Sequence, residues 1–159
     1  MKLVFLRHTT ATNIAPRDAA RELTADGEWE AQIAGTGLAV LGVRPAVIFS
    51  SPLVRARQTA EIVARKLNFT GVINELNALA NDHTTAELLR ALQPHRTAGE
   101  ILLVGHMPSM AEHVTQLVGV AFVDGFGKGS AALVELPELR LGAGQLLWRK
   151  RLDEFAELA

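Results

Sequence analysis

Short runs of consecutive apolar residues recur along the chain, separated by longer stretches in which apolar residues follow helical spacing. The apolar runs cover residues 3–6, 47–49 and 101–104, and a weaker run covers residues 72–73. A run without polar alternation is typical of a strand that is buried on both faces of a sheet. These runs therefore predict the strands of a mainly parallel sheet.

Helices are predicted between these strands. The first begins after Thr24, whose hydroxyl suits an N-cap, ends at Gly42 and carries Trp29 on its apolar face. Further helices are predicted after Ser51 to about residue 67, from residue 84 or 85 to residue 93, and after Pro108 to about residue 118. Segment 120–130 has the composition of a loop. Residues 131–136 and 145–150 alternate and predict a final antiparallel pair of strands.

This order of elements predicts an α/β fold. Strands that alternate with helices form a mostly parallel sheet with helices on both faces, so we expect a three-layer sandwich with a mixed sheet. A chain of 159 residues without repeats or linkers fits a single domain over residues 1–159.

Composition excludes several classes of protein. The 16 Lys and Arg residues nearly balance the 17 Asp and Glu residues, which argues against a dedicated nucleic-acid binder. The absence of cysteine excludes disulfide scaffolds, thiolate metal sites and cysteine nucleophiles. The apolar run at residues 3–6 is too short for a secretory core, and no stretch approaches the length of a membrane span. We therefore expect a cytoplasmic protein that binds neither nucleic acid nor membrane. A monomer is a separate expectation.

Polar residues follow three of the predicted strands. Arg7 and His8 follow the first, Arg55 lies shortly after the second, and His106 follows the strand at residues 101–104. Because ligands of parallel α/β sheets bind at the carboxyl ends of the strands, these side chains are expected at one edge. Arginines beside helix N-termini form an anion site, and phosphate is the usual anion. Two histidines in that site can act as a nucleophile and its partner.

Four sequence blocks then occur in a fixed order: Leu6-Arg7-His8, Leu23-Thr24-x-x-Gly27, the segment 50–61 that contains Arg55, and Val104-Gly105-His106-Met107-Pro108. Together they resemble the histidine phosphatase superfamily and, within it, the short phosphohistidine phosphatases of the SixA type. The resemblance extends from residue 3 to about residue 119. It implies the phosphoglycerate mutase-like version of the α/β sandwich.

The resemblance also implies a role for each matching residue. His8 would be the nucleophile that forms a phosphohistidine intermediate, and Arg7 and Arg55 would hold the phosphate oxygens. His106 would complete the pocket and stabilise charge on the transferring group, with no metal or other cofactor. The chemistry of the residues agrees, because arginine binds phosphate through a fork of two hydrogen bonds and nearby arginines oppose protonation of His8.

Two positions leave alternatives open. Thr9 stands where the commonest motif of the superfamily has glycine, and its hydroxyl either binds a phosphate oxygen or caps a turn. A general acid is expected at Asp82, with Glu75 as the second candidate. An enzyme acting on phosphohistidine can also lack a clear acid, because an imidazole departs more readily than an alkoxide.

The expected function is a metal-independent phosphatase that acts on phosphohistidine of a protein, such as a histidine phosphotransfer domain. A short chain leaves little room for the lids that enclose small metabolites, which favours a side chain presented by another protein. One alternative is a phosphomonoesterase or mutase acting on a sugar or nucleotide phosphate. The other is a non-catalytic phosphate-binding module, against which the presence of both histidines and both arginines argues.

Overall fold

A mixed sheet forms the centre of the protein. The computed structural model describes residues 1–120 and 126–158. Its strands are β1 (Lys2–Arg7), β2 (Val47–Ser50), β3 (Ile73–Glu75), β4 (Glu100–Gly105), β5 (Ala131–Glu135) and β6 (Gln145–Lys150). They lie in the order β3-β2-β4-β1-β5-β6, in which β3, β2, β4 and β1 are parallel and β5 is antiparallel to β1 and β6. The predicted mixed, mostly parallel sheet is confirmed.

Helices cover both faces of this sheet. They are α1 (Ala25–Val40), α2 (Val54–Lys66), α3 (Thr85–Leu92), α4 (Ser109–Val118) and α5 (Leu152–Glu157), with 3₁₀ turns at Asp18–Ala20, Asn77–Leu79 and Gln93–His95. The three-layer architecture is confirmed, whereas the sequence did not predict α5. Part of the predicted loop over residues 120–130 lies outside the described residues. Among the helices described, none is long and apolar enough to cross a bilayer.

The side chains of β1 show why its apolar run is continuous. Leu3 and Phe5 belong to the core under α3 and α4, whereas Val4 and Leu6 belong to the core under α1, α2 and α5. All four side chains are fully buried. Burial of each such side chain contributes about 1.5–3 kcal/mol, so β1 fixes both layers of helices to the sheet.

Helix α1 packs through its small residues, and this corrects one prediction. A Cβ atom on Gly35 would lie 2.7 Å from Cβ of Lys66, and one on Gly37 would lie 2.4 Å from the ring of Phe155. The glycines therefore allow α2 and α5 to approach α1 closely. Trp29 lies off this face and is 62% exposed, so its predicted place in the core is wrong.

The helix ends largely follow the predicted caps. The Thr24 hydroxyl accepts a hydrogen bond from the backbone N–H of Gly27 at 3.0 Å, and Gly42 has φ +82° just beyond the end of α1. Helix α2 begins later than predicted, with Leu53 as its N-cap. The Ser51 hydroxyl accepts from the backbone N–H of Leu53 at 3.1 Å, in the turn that precedes the helix.

Strand order brings the chemically interesting strand ends together. Strands β2, β4 and β1 are parallel neighbours, with Arg7 paired to Gly105 and Ser50 paired to Val104. The residues that follow these strands therefore lie side by side at one edge of the sheet.

Candidate active site

His8 is held immediately beyond β1 in one defined orientation. Its backbone N–H donates to the Gly105 carbonyl at 3.0 Å, and its side-chain Nδ1 lies 2.7 Å from the carbonyl oxygen of Thr9. A carbonyl oxygen only accepts, so Nδ1 carries the proton and Nε2 of the neutral ring has a free lone pair. Burial, reinforced by the unfavourable interaction of a protonated His8 with His106, Arg55 and Arg7, lowers the pKa of His8 to about 3. The ring is therefore neutral at pH 7.

His106 lies beside His8 at the end of β4. The two ring centroids are 5.0 Å apart and the ring planes are inclined by 53°. Nε2 of His106 lies 2.7 Å from the hydroxyl oxygen of Ser51. Burial and, secondarily, the charge of Arg55 lower the pKa of His106 to about 4, so this ring is neutral at pH 7 as well.

Two arginines adjoin the histidines. Arg55, in the first turn of α2, is 8% exposed and donates from Nη1 to the backbone carbonyl of Asp18 at 3.0 Å and from Nη2 to its carboxylate at 3.2 Å. Arg7 donates from Nη1 to the carbonyl oxygen of Phe126 at 2.9 Å. Burial lowers the pKa of Arg7, but a guanidinium group stays protonated at neutral pH.

Three buried nitrogens of this cluster lack a hydrogen-bond partner within residues 1–120 and 126–158. They are Nε of Arg7, Nε of Arg55 and Nδ1 of His106. Buried polar groups are almost always hydrogen-bonded, so donors left over beside two guanidinium charges indicate a site for an anion. In the same described part of the chain, no group of three or more His, Asp or Glu side chains is arranged to hold a metal.

Thr9 is not available to a ligand. Its side chain is fully buried, its hydroxyl donates to the Gly27 carbonyl at 2.7 Å, and its backbone N–H donates to the Thr59 hydroxyl at 3.2 Å. Since the only hydroxyl hydrogen of Thr9 is used inside the protein, its predicted phosphate contact is replaced by a structural one. Thr9 joins the segment after β1 to both α1 and α2.

The predicted acids lie outside this cluster. Asp82 is exposed in the left-handed region at φ +72°, and no hydrogen bond or ion pair of the described residues joins it to His8 or His106. Glu75 forms an ion pair with Arg57 at 3.3 Å and is half exposed. A general acid at Asp82 or Glu75 therefore has no structural support.

Two residues of the site were not predicted. Asp18 contacts Arg55 from the segment that follows β1, and its pKa is lowered by hydrogen bonding to Arg21 and by Arg55. Ser51 was assigned from the sequence as a helix cap, yet it also contacts His106. Ser51 directly follows β2, so its place at the same edge as His106 agrees with the strand order, but its contact with His106 is new.

The Leu23-Thr24-x-x-Gly27 block contacts the backbone that follows His8. The backbone N–H of Thr24 donates to the Thr10 carbonyl at 3.0 Å. A Cβ atom on Gly27 would lie 1.9 Å from the same oxygen, so only glycine permits this approach. The block therefore fixes the backbone that directly follows His8.

Comparisons with known proteins agree with this geometry. A model of the histidine phosphatase superfamily (branch 1) matches residues 3–81. The phosphohistidine phosphatase SixA of Escherichia coli (strain K12) is 28% identical over 152 residues, which are 94% of this chain and 92% of SixA. A structure of the protein histidine phosphatase SixA complexed with tungstate has a TM-score of 0.89 and 26% identity, over 96% of this chain and 98% of SixA.

The fold also occurs in a phosphatase of a small molecule. The alpha-ribazole phosphatase of Shigella flexneri has a TM-score of 0.78 at 16% identity, over 96% of this chain and 97% of that one. At this identity the likeness concerns the fold alone. The chain belongs to the histidine phosphatase superfamily, as the four sequence blocks indicated. Its similarity to SixA supports a hydrolase of the phosphatase type.

Proposed function

We propose that the protein removes phosphate from phosphohistidine on another protein, without a metal, through a phosphorylated His8. The observation that carries the proposal is the 2.7 Å contact between His8 Nδ1 and the Thr9 carbonyl oxygen. That contact places the proton on Nδ1 and leaves Nε2 as a nucleophile in a ring that is neutral at pH 7.

In the first step, the lone pair of His8 Nε2 attacks the phosphorus atom of the substrate. A new N–P bond forms on His8 while the bond from phosphorus to the substrate nitrogen breaks. The electron pair of the broken bond remains on the departing imidazole. In the second step, the oxygen of a water molecule attacks the phosphorus of phosphorylated His8 and the N–P bond breaks. Inorganic phosphate leaves with the hydrogens of that water, and the lone pair returns to Nε2.

The arginines and His106 supply the charge and hydrogen bonds that this transfer needs. Phosphoryl transfer depends chiefly on positioning and on neutralising the phosphoryl oxygens. The unpartnered Nε groups of Arg7 and Arg55, with Nδ1 of His106, are donors suited to those oxygens. Similarity to a SixA complexed with tungstate, a tetrahedral oxyanion shaped like phosphate, supports this assignment.

Within residues 1–120 and 126–158, neither Asp82 nor Glu75 contacts the site, which favours a phosphohistidine substrate. The carboxylate that reaches this cluster in the described structure belongs to Asp18, and its lowered pKa keeps it ionised. A leaving alkoxide needs a proton in the transition state, whereas an imidazole departs more readily. The similarity to SixA, a phosphohistidine phosphatase, points the same way.

The test is to offer the purified protein a phosphohistidine-bearing phosphotransfer domain and, separately, common sugar phosphates, each with and without a chelator. We expect turnover of the phosphoprotein that the chelator does not change. His8→Ala should abolish turnover and prevent trapping of an acid-labile phosphoenzyme. His83→Asn is the matched control, because the His83 ring pairs with Glu87 rather than with His8, His106 or the two arginines, and its loss should leave turnover unchanged.

Other outcomes distinguish the alternatives. Preference for sugar phosphates would replace the proposed substrate class with small phosphate esters. Full activity in His8→Ala would remove the proposed nucleophile. Phosphate binding without turnover of any substrate would identify a binding module.

A further inference from the structure

Ser51 is a buried side chain in direct contact with His106. It lies just after β2, is fully buried, and its hydroxyl oxygen is 2.7 Å from Nε2 of His106. The same oxygen accepts a hydrogen bond from the backbone N–H of Leu53 at 3.1 Å. A hydroxyl has one hydrogen and two lone pairs, and the contact with Leu53 uses one lone pair. The hydroxyl can therefore either donate its hydrogen to His106 or accept a hydrogen bond from His106 with the second lone pair.

Two arrangements of the Ser51–His106 contact are possible. If Ser51 donates to Nε2, the proton of neutral His106 is on Nδ1, and only Nδ1 lacks a partner. If Nε2 donates to Ser51, the Ser51 hydrogen has no acceptor among the described residues, and Nδ1 lacks a partner too. Each unsatisfied buried polar group costs about 1–3 kcal/mol, so the first arrangement is favoured.

We propose that Ser51 is a positioning residue that holds neutral His106 in the tautomer with its proton on Nδ1. His106 then donates a hydrogen bond from Nδ1 to a phosphoryl oxygen. The tautomer follows from the contacts of Ser51 alone, and only its use on phosphate rests on the proposed function.

The choice of tautomer matters because His106 is neutral at pH 7. A neutral imidazole donates from one nitrogen and accepts with the other, so the position of the proton decides which nitrogen serves the ligand. With the proton on Nε2, Nδ1 would present a lone pair to a negatively charged oxygen and repel it. With the proton on Nδ1, the same atom binds the oxygen beside the positive charges of Arg7 and Arg55.

The tautomer can be measured directly, without any assay of activity. In protein with ¹⁵N-labelled histidine near pH 7, protonated and unprotonated ring nitrogens have widely separated chemical shifts, and His106→Gln assigns the His106 signals. We expect a protonated Nδ1 and an unprotonated Nε2 in the wild-type protein. A protonated Nε2 in the wild-type protein would overturn the inference, whatever the fate of the proposed function.

Substitution of Ser51 adds a kinetic test. In Ser51→Ala, we expect the Nε2-protonated form of His106 to appear and kcat/KM for the phosphoprotein to fall about 10- to 100-fold. Ser50→Ala is the matched control, because Ser50 is equally buried and its hydroxyl donates to the Ser51 carbonyl at 2.7 Å rather than to His106. Ser50→Ala should keep both the tautomer and the rate.

The outcomes separate the two proposals. An Nδ1-protonated His106 that redistributes in Ser51→Ala supports the inference even if the protein proves to act on another phosphate. An unchanged tautomer in folded Ser51→Ala overturns it even if phosphohistidine turnover is established. Circular dichroism of both serine variants shows whether each is folded.

Discussion

Asp18 contacts the guanidinium group of Arg55 at two points, through its backbone carbonyl oxygen at 3.0 Å and its carboxylate at 3.2 Å. This pair joins the irregular segment after β1 to the first turn of α2. Arg21 donates to the other carboxylate oxygen at 3.1 Å, so Asp18 bridges two arginines. The bridge therefore orients the Arg55 guanidinium group. Its Nε is one of the unpartnered donors that we propose bind phosphate.

Asp18→Asn removes the charge of this bridge and keeps its backbone contact. The Asp18 carboxylate is 67% exposed, so we expect only a modest fall in kcat/KM for the phosphoprotein, about 2- to 5-fold. Steady-state kinetics measure kcat/KM for Asp18→Asn, with Glu61→Gln as the control variant. Glu61 pairs with Arg57 on the same helix, and its loss should leave the rate unchanged. Equal effects of the two variants would show that the bridge to Arg55 has no special role.

Arg55→Lys keeps the positive charge but removes the planar fork. An ammonium group cannot reproduce the paired hydrogen bonds to phosphate oxygens, so binding of tungstate or phosphate should weaken about 10- to 100-fold. Inhibition of turnover by tungstate measures this loss. Arg57→Lys is the control, because Arg57 is two residues further along α2 and is paired with Glu61 and Glu75. Unchanged inhibition in Arg55→Lys would contradict the proposed phosphate contact.

Much of the candidate site was predictable because strand ends are local features of the sequence. The apolar runs before Arg7 and before His106 identify buried strands, and parallel pairing then brings the following residues to one edge. Arg55 was predictable for the same reason, since it lies in the first turn of the helix after β2. The positions of Arg7, His8 and His106 follow from the register of β1 and β4.

The contacts between distant loops were not predictable. Asp18 lies in a segment without periodicity, so nothing in the sequence set its path toward Arg55. The sequence leaves the Thr9 hydroxyl between a phosphate contact and a turn cap, because its actual partner, the Gly27 carbonyl, depends on how closely α1 approaches. Trp29 was placed in the core because large apolar residues define a helix face in sequence, whereas α1 packs through glycine and alanine.

Acidification should lower the free energy of unfolding already at pH values above those at which carboxylates titrate. Burial lowers the pKa of His8 to about 3 and those of His106 and His113 to about 4, whereas unfolded histidine titrates near 6.5. Below pH 6.5 the unfolded chain therefore binds more protons than the folded protein, and stability falls as the pH falls. Between pH 6.5 and 5 each of these residues accounts for up to about 2 kcal/mol.

Urea unfolding at a series of pH values from 7 to 5 measures this effect. The midpoint should decrease steadily, and the decrease should be shallower in His113→Asn, which removes one of the three buried rings. A urea midpoint that rises on acidification would contradict the proposed link between histidine protonation and loss of stability.

Gly27→Ala tests whether α1 fixes the backbone that follows His8. The added Cβ atom would lie 1.9 Å from the Thr10 carbonyl oxygen, so the segment that follows β1 and helix α1 must move apart. That separation strains the hydrogen bond from Thr9 to Gly27 and displaces the carbonyl that orients His8. We expect a loss of about 1–3 kcal/mol in the free energy of unfolding and lower activity per folded molecule. At Gly99 a Cβ atom would meet nothing within 4 Å, so Gly99→Ala should change neither quantity. If Gly27→Ala lowered stability but left the rate of the folded enzyme intact, the position of the helix would not control the orientation of His8.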